Sequence, residues 1–138
     1  MKRLLFTISL LLLTITSFAQ NISDTQLLAL GRTKATVKKM LPAGYTYYKV
    51  EENDYGYTDL YKKGTSIIGY SFNFREDICQ NVGTSISHTS WKAIEAGLAH
   101  KYKKHGGMWY ANHNDPFVYS ISRDKPVYML VATKNTEY

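Results

Sequence analysis

Short strand-like segments separated by turn residues make up most of this chain, and they constrain its fold more than any other feature. Apolar, aromatic and β-branched residues are concentrated in seven such segments. The segments lie at 45–51, 57–62, 65–74, 78–86, 108–113, 117–123 and 127–133. Turn clusters at 53–56, 114–116 and 124–126 separate several of them. Since strands joined by turns of a few residues pair as antiparallel hairpins, the sequence predicts an antiparallel sheet.

Two further segments have the spacing of amphipathic helices. The first begins after Gly31, where Thr33 is placed to accept a hydrogen bond from a free backbone N–H group, and Pro42 ends it. The second carries apolar residues at helical spacing before a stop at Gly106 and Gly107. Those residues are Trp91, Ile94, Leu98 and Tyr102, followed by His105. The predicted order is α-ββββ-α-βββ, which gives an α+β, two-layer domain with two helices on one face of an antiparallel β-sheet.

The first 19 residues have the pattern of a secretory signal peptide. Lys2 and Arg3 precede an uncharged, Leu-rich and Ile-rich run at 4–18, and small residues at Ser17 and Ala19 fit cleavage after Ala19. The run is shorter than the ~20 residues of a membrane span, although an uncleaved anchor is the alternative. We therefore expect a signal peptide at 1–19, a single domain at 20–138, and an exported protein, periplasmic or extracellular. We expect no transmembrane segment after cleavage.

Length and composition exclude several classes of protein. A chain of 138 residues allows one domain and is too short for a (β/α)₈ barrel, and one Cys excludes an intramolecular disulfide framework. Without 1–19, the chain has 15 basic and 11 acidic side chains, so its mildly basic charge favours anionic partners. Export disfavours nucleic acid as a partner. The sequence has no glycine-rich phosphate-binding motif, and we expect no cofactor.

The start of the first helix resembles that of a known group of small exported domains. The residues from Gly31 to Val37, followed by Leu41, match the pattern G-x-T-x-x-x-V…L. This pattern is similar to the helix start of the SmpA/OmlA and β-lactamase-inhibitor-protein-like group, in which a helical segment leads into an antiparallel sheet. The usual Gly-x-Pro after the helix is replaced here by the residues 41–44. The resemblance implies a non-catalytic, protein-contacting domain.

The groups with potential for catalysis or metal binding are scattered along the sequence. Cys79 is the only thiol, and it follows a turn at the start of a strand rather than a helix N-terminus, where reactive thiolates are common. The four histidines, at 88, 100, 105 and 113, have no metalloprotease spacing. Acidic residues lie mainly in turns, where they serve turn geometry. We therefore expect no metal site and favour a protein that is not an enzyme, with a small secreted hydrolase using Cys79 or a His as the alternative.

Tyrosine is the most informative residue type, because the chain has 12 and most lie in predicted strands. Alternation along a strand places successive side chains on opposite faces. We predict that Ile68, Tyr70, Phe72 and Phe74 face the helices together with Tyr48, Val50 and Leu60. The opposite face would then carry the candidate binding residues Tyr45, Tyr47, Lys49, Tyr57, Asp59 and Tyr61, together with Glu51. The sequence thus predicts an open, Tyr-rich sheet face.

Such a face suits binding, because tyrosine offers a flat apolar ring and a hydroxyl group at low entropic cost. The leading hypothesis is an exported, non-catalytic binding domain with a protein or a cell-envelope polymer as partner. Cross-strand Tyr pairs also stabilise exposed sheets by roughly 0.2–1 kcal/mol each, so a purely structural role of the rings is the alternative. A third hypothesis is a structural module that dimerises by strand pairing.

Overall fold

The computed structural model of the protein describes residues 22–110 and 116–134, with only the backbone of Tyr110. The predicted signal peptide, His113 and Asp115 lie outside the described residues. The helices are α1 (Asp24–Leu28), α2 (Lys34–Lys39) and α3 (Trp91–Lys101). The strands are β1 (Thr46–Glu52), β2 (Gly56–Lys63), β3 (Ser66–Asn73), β4 (Cys79–Ile86), β5 (Lys103–His105), β6 (Met108–Tyr110), β7 (Phe117–Ser122) and β8 (Tyr128–Lys134). The predicted α+β class with an antiparallel sheet is confirmed.

All the described strands form one sheet in the order β1-β2-β3-β4-β8-β7-β6-β5, and every neighbouring pair is antiparallel. The first four strands and the last four strands are two meanders, each preceded by helix. The two meanders join where β4 pairs with β8. The connection from β4 to β5 runs through α3 to the far edge of the sheet. The chain then returns through β6 and β7 to β8 at the centre.

The predicted order of elements is wrong in two places. The segment before Gly31 forms the additional helix α1, which Ser23 begins by a reciprocal capping box with Gln26. The second helix ends at Lys101, and the three residues that follow Tyr102 form β5. Gly106 and Gly107 both have positive φ angles and form the turn of the β5–β6 hairpin rather than a helix stop. A paired strand therefore replaces the predicted last turn of the helix.

The core is one cluster of buried side chains that come from the helices and from one face of the sheet. Tyr70, Ile68 and Val82 point into it from β3 and β4, and Val37 and Ile94 enter from α2 and α3. We call this side of the sheet the core face. Thr33 begins α2 as predicted, since its hydroxyl oxygen accepts a hydrogen bond from the Thr36 N–H group. Apolar burial therefore holds the helices, and at α2 the predicted cap is present as well.

Buried Gln26 fixes α1 to β4. Its side-chain amide donates a hydrogen bond to the Gly83 carbonyl oxygen at 3.1 Å, and its Oε1 accepts one from the Thr84 hydroxyl group at 3.1 Å. An amide in the protein interior is costly unless both of its ends are paired. The two bonds meet that requirement, so this polar side chain gives α1 a defined position on the sheet.

The predicted facing of β2 is wrong. Tyr57, Asp59 and Tyr61 lie directly opposite Phe72, Tyr70 and Ile68 of β3. Residues directly opposite each other in a sheet share a face, so this set of β2 residues belongs to the core face. Tyr61 is only 4% exposed and Asp59 only 5%. The prediction placed Leu60 inward because it is aliphatic, but Leu60 points to the other face.

A bulge in β1 changes the facing within that strand. Tyr47 is opposite Tyr61, whereas Lys49 is opposite Leu60, so Tyr48 is the extra residue between the two registers. Lys49 and Glu51 therefore lie on the face opposite the core, as predicted. Tyr47 was predicted to share that face, which is wrong, because it lies on the core side and contacts the Tyr61 ring. The alternation of residues in the sequence does not show that a strand contains an extra residue, so it cannot predict the bulge.

Two further facing predictions fail at strand ends. Phe74, predicted to face the helices, follows the last residue of β3 and is 55% exposed. Tyr45, predicted to face away from the helices, precedes β1 and packs half-buried against the core. Its hydroxyl group is hydrogen-bonded to that of Ser66 at 2.7 Å. The regular alternation does not extend to these positions because neither lies within a strand.

Candidate ligand-binding cleft

The face of the sheet opposite the core forms a cleft of about 320 Å³. Its lining comes from strands and the turns between them, and its floor lies on β2, β3, β4 and β8. The floor and walls include Thr58, Leu60, Ile67, Gly69, Ser71, Asn81, Gly83, Met129 and Val131, and the rim includes Tyr48, Lys49, Glu51, Asn53, Ser122, Lys125, Pro126 and Val127. A volume of this size is within the range of small-ligand pockets.

Two glycines determine the shape of the floor. Gly69 and Gly83 lie directly opposite each other in β3 and β4. A Cβ atom at Gly69 would lie 3.0 Å from the Leu60 Cδ2 methyl group, and one at Gly83 would lie 3.0 Å from the Met129 Cε methyl group. Leu60 and Met129 therefore lean over backbone where a side chain would stand. The result is an apolar floor in which the Leu60 and Met129 side chains cover the backbone of the two glycines.

An ion pair joins the two sides of the cleft. Glu51 of β1 contacts Lys49 at 3.1 Å and Lys125, in the β7–β8 turn, at 2.9 Å. Three strands separate β1 from β8, which on a flat sheet would place them roughly 19 Å apart. The direct contact between Glu51 and Lys125 shows that the sheet curls toward this face, so the face is concave. The hydrogen bond from Lys125, followed by that from Lys49, lowers the pKa of the Glu51 carboxyl group.

The turn that carries Lys125 is itself held in place. The His88 Nε2 atom lies 2.7 Å from the Pro126 carbonyl oxygen, and the His88 ring stacks on Tyr128 with centroids 4.0 Å apart. On the other side of the turn, the Ser122 hydroxyl group donates to Asp124 at 2.7 Å. These contacts fix the β7–β8 rim of the cleft before any ligand arrives.

Of the sequence-predicted binding residues, only Lys49 lines the cleft. Asp59 is buried on the core face, where it pairs with Lys34 at 3.3 Å. The Lys34 ammonium group also lies 4.5 Å from the centre of the Tyr57 ring, and the Tyr57 hydroxyl group donates to Asp77. Partial burial lowers the pKa of Lys34, but Asp59 outweighs it and the net shift is upward. These contacts tie the start of α2 to β2.

The sequence reasoning missed most of the cleft. Its floor is made by Leu60, Gly69, Gly83 and Met129, none of which was a predicted site residue. One signal was present, because glycine within a strand often marks a close approach of backbone or ligand. Gly69 and Gly83 both lie inside predicted strands. Their pairing across β3 and β4 depends on register, which the sequence does not state.

Cys79 does not have the properties of a nucleophile. It is 2% exposed, and burial raises the pKa of its thiol to about 12. Of the histidines, His100 and His105 are exposed on the surface, and His88 is engaged at the cleft rim. Within 22–110 and 116–134, no cluster of three or more His, Cys, Asp and Glu side chains is arranged to hold a metal ion.

Comparisons of this chain with protein-family models, with curated proteins and with solved structures found no match. Among the described residues, no helix combines the length and the apolar character that crossing a membrane requires. The functional interpretation therefore depends on the geometry of the cleft and on the sequence.

Proposed function

We propose that this chain is an exported, non-catalytic binding domain and that it binds a partner polypeptide through the cleft. The observation that carries the proposal is the concave apolar floor around Gly69 and Gly83, which is bordered by Lys49, Glu51 and Lys125. An apolar pocket with a few polar groups at its rim is the usual form of a binding site. The proposal retains the predicted export, and in it the cleft is on the face opposite the core.

The chemistry of the lining favours an apolar side chain of a protein over a sugar. Leu60, Ile67, Met129 and Val131 provide aliphatic and thioether contacts, and Met adapts its shape to different occupants. Tyr48 is the single aromatic ring in the lining. The resemblance of the α2 region to protein-contacting exported domains points the same way. A cell-envelope polymer is the competing partner, and the experiment below separates the two.

Selection of peptides from a random displayed library tests the proposal. We expect the enriched peptides to share one large apolar residue and to bind the unmodified protein. Met129→Lys places a charge on the cleft floor and should weaken their binding at least tenfold, about 1.4 kcal/mol. The matched control is Leu28→Lys, because Leu28 is exposed on α1 and lies outside the lining. It should leave binding unchanged.

Two results would contradict the proposal. The first is a selection that yields no peptide able to bind the folded protein. The second is a selection whose peptides bind the Met129→Lys and unmodified proteins equally. If purified peptidoglycan or an acidic polysaccharide binds and Met129→Lys abolishes that binding, the partner of the cleft is a polymer instead of a polypeptide. Thermal unfolding of both variants shows whether the charge changed the fold instead of the site.

A further inference from the structure

Strand β1 forms one edge of the sheet formed by the described residues. The opposite edge, β5, has only three residues, two of which are lysines, and short charged edges resist pairing with another strand. β1 has seven residues, and Tyr47, Tyr48 and Val50 on it are exposed. It is therefore the longer and more apolar of the two edges.

The hydrogen bonding of β1 to β2 shows which of its backbone groups point outward. The Asn53 N–H group donates to the Gly56 carbonyl oxygen at 2.9 Å, so Asn53 and Gly56 form a hydrogen-bonded pair. Such pairs alternate along antiparallel strands. The same register continues along β1 as far as Lys49, so Glu51 and Lys49 also bond to β2. The N–H and C=O groups of Val50 and Glu52 consequently point away from the sheet.

We propose that this chain forms a two-fold symmetric dimer by antiparallel pairing of β1 with β1 of a second copy, with Val50 opposite Val50. In this register the outward N–H and C=O groups of both Val50 residues bond to each other. Lys49 then lies opposite Glu51 of the second copy, and Glu51 lies opposite Lys49. These two pairs occupy positions without backbone hydrogen bonds, where opposite side chains approach most closely.

Charge selects this register over its neighbours. Centring the pairing on Lys49 would put the two lysines opposite each other, and centring it on Glu51 or Glu52 would oppose two carboxylates. Like charges directly opposite each other destabilise a sheet. Two antiparallel copies of the sequence Lys49-Val50-Glu51 therefore pair opposite charges only when the two Val50 residues lie opposite each other. The bulge at Tyr48 limits the regular pairing to the residues around this centre.

The dimer would also double the proposed binding site. A two-fold axis through Val50 runs perpendicular to the sheet, so both clefts open on the same side of one continuous sheet. A partner with repeated apolar groups could then bind both clefts, which raises its apparent affinity. Only this consequence rests on the proposed function. The pairing itself rests on the edge, its hydrogen-bond pattern and its charges.

A charge-swap experiment tests the dimer directly. Lys49→Glu opposes carboxylates at both pairs, and Glu51→Lys opposes ammonium groups at both pairs. We expect each variant to raise the dimer dissociation constant by about tenfold or more relative to the unmodified protein. An equimolar mixture of the two variants restores two opposite-charge pairs and should dimerise. Sedimentation velocity over a range of concentrations gives the dissociation constants, and thermal unfolding confirms that each variant is folded.

A cross-link fixes the register. Opposite residues in a hydrogen-bonded pair have Cα atoms about 5.5 Å apart, which a disulfide spans. Val50→Cys should therefore oxidise to a covalent dimer, whereas Tyr55→Cys, in the turn beyond β1, should oxidise much more slowly. A protein that stays monomeric up to about 1 mM overturns the proposal, as does a charge-variant mixture that stays monomeric. In either case Lys49 and the bulge at Tyr48 would be features that prevent β1 from pairing with another chain.

Discussion

Replacement of Tyr61 tests the facing of the sheet, on which the location of the cleft depends. The Tyr61 ring is 4% exposed and makes edge-on contacts with Tyr47 and Tyr70, at centroid distances of 5.9 and 6.0 Å. Deleting a buried aromatic side chain costs about 3–5 kcal/mol. Tyr47, its direct neighbour across β1 and β2, is 59% exposed, so Tyr47→Ala should cost about 1 kcal/mol, most of it from the lost ring contact.

Urea unfolding followed by tryptophan fluorescence and circular dichroism measures both free energies of unfolding. For a domain of this size, each kcal/mol shifts the Tm by roughly 3–6 °C, so a loss of about 3–5 kcal/mol in Tyr61→Ala should lower the Tm by roughly 9–30 °C. Tyr61→Phe keeps the ring and is the control, with an expected cost of about 1 kcal/mol or less. A cost of only about 1 kcal/mol for Tyr61→Ala, equal to that of Tyr47→Ala, would refute the reasoning, because both rings would then be on the surface.

Two other predictions concern the thiol of Cys79 and the carboxyl group of Glu51. Burial raises the pKa of the Cys79 thiol to about 12, so the folded protein should not react with Ellman's reagent. Unfolding in denaturant should expose one reactive thiol per chain. Rapid reaction of the folded protein would contradict the burial. Since the pKa of Glu51 is lowered from its ordinary value of 4.5, its stabilising effect is present above that pH and is lost as the pH falls through the folded value. Glu51→Gln should therefore make the free energy of unfolding less dependent on pH below about 4.5. The difference between the two proteins should be under about 1 kcal/mol, because the Glu51 side chain is partly exposed. An unchanged dependence of this free energy on pH would show that the pair with Lys125 contributes nothing.

The relation between β1 and the β7–β8 turn links the two proposals. Glu51 joins Lys125 across the cleft, and in the proposed dimer it also lies opposite Lys49 of the second copy. Dimerisation would place a further cation beside this carboxylate at the cleft rim. Ligand binding in the cleft and pairing of β1 in the dimer would thus both affect the Glu51 carboxylate.

Sequence reasoning succeeded where the decisive forces are local. Thr33 caps α2 because its own side chain reaches the Thr36 N–H group, and short turns impose antiparallel pairing on their strands. Gly106 and Gly107 were recognised as a break, but the choice between a helix stop and a hairpin turn depends on whether a strand is available to pair. The four strands of the first meander were therefore predicted, whereas α1 and β5 were missed.

The facing of the strands was decided only in three dimensions. Alternation in β2 defines two sets of side chains, but it does not state which set is buried. Leu60 is the more apolar choice, yet Tyr61 has the volume that fills the core beside Tyr70, and Leu60 fits over the bare backbone of Gly69. The bulge at Tyr48 and the contact of Glu51 with Lys125 likewise depend on partners distant in sequence. Local sequence determines which strands form, whereas cross-strand packing determines which of their faces becomes the cleft.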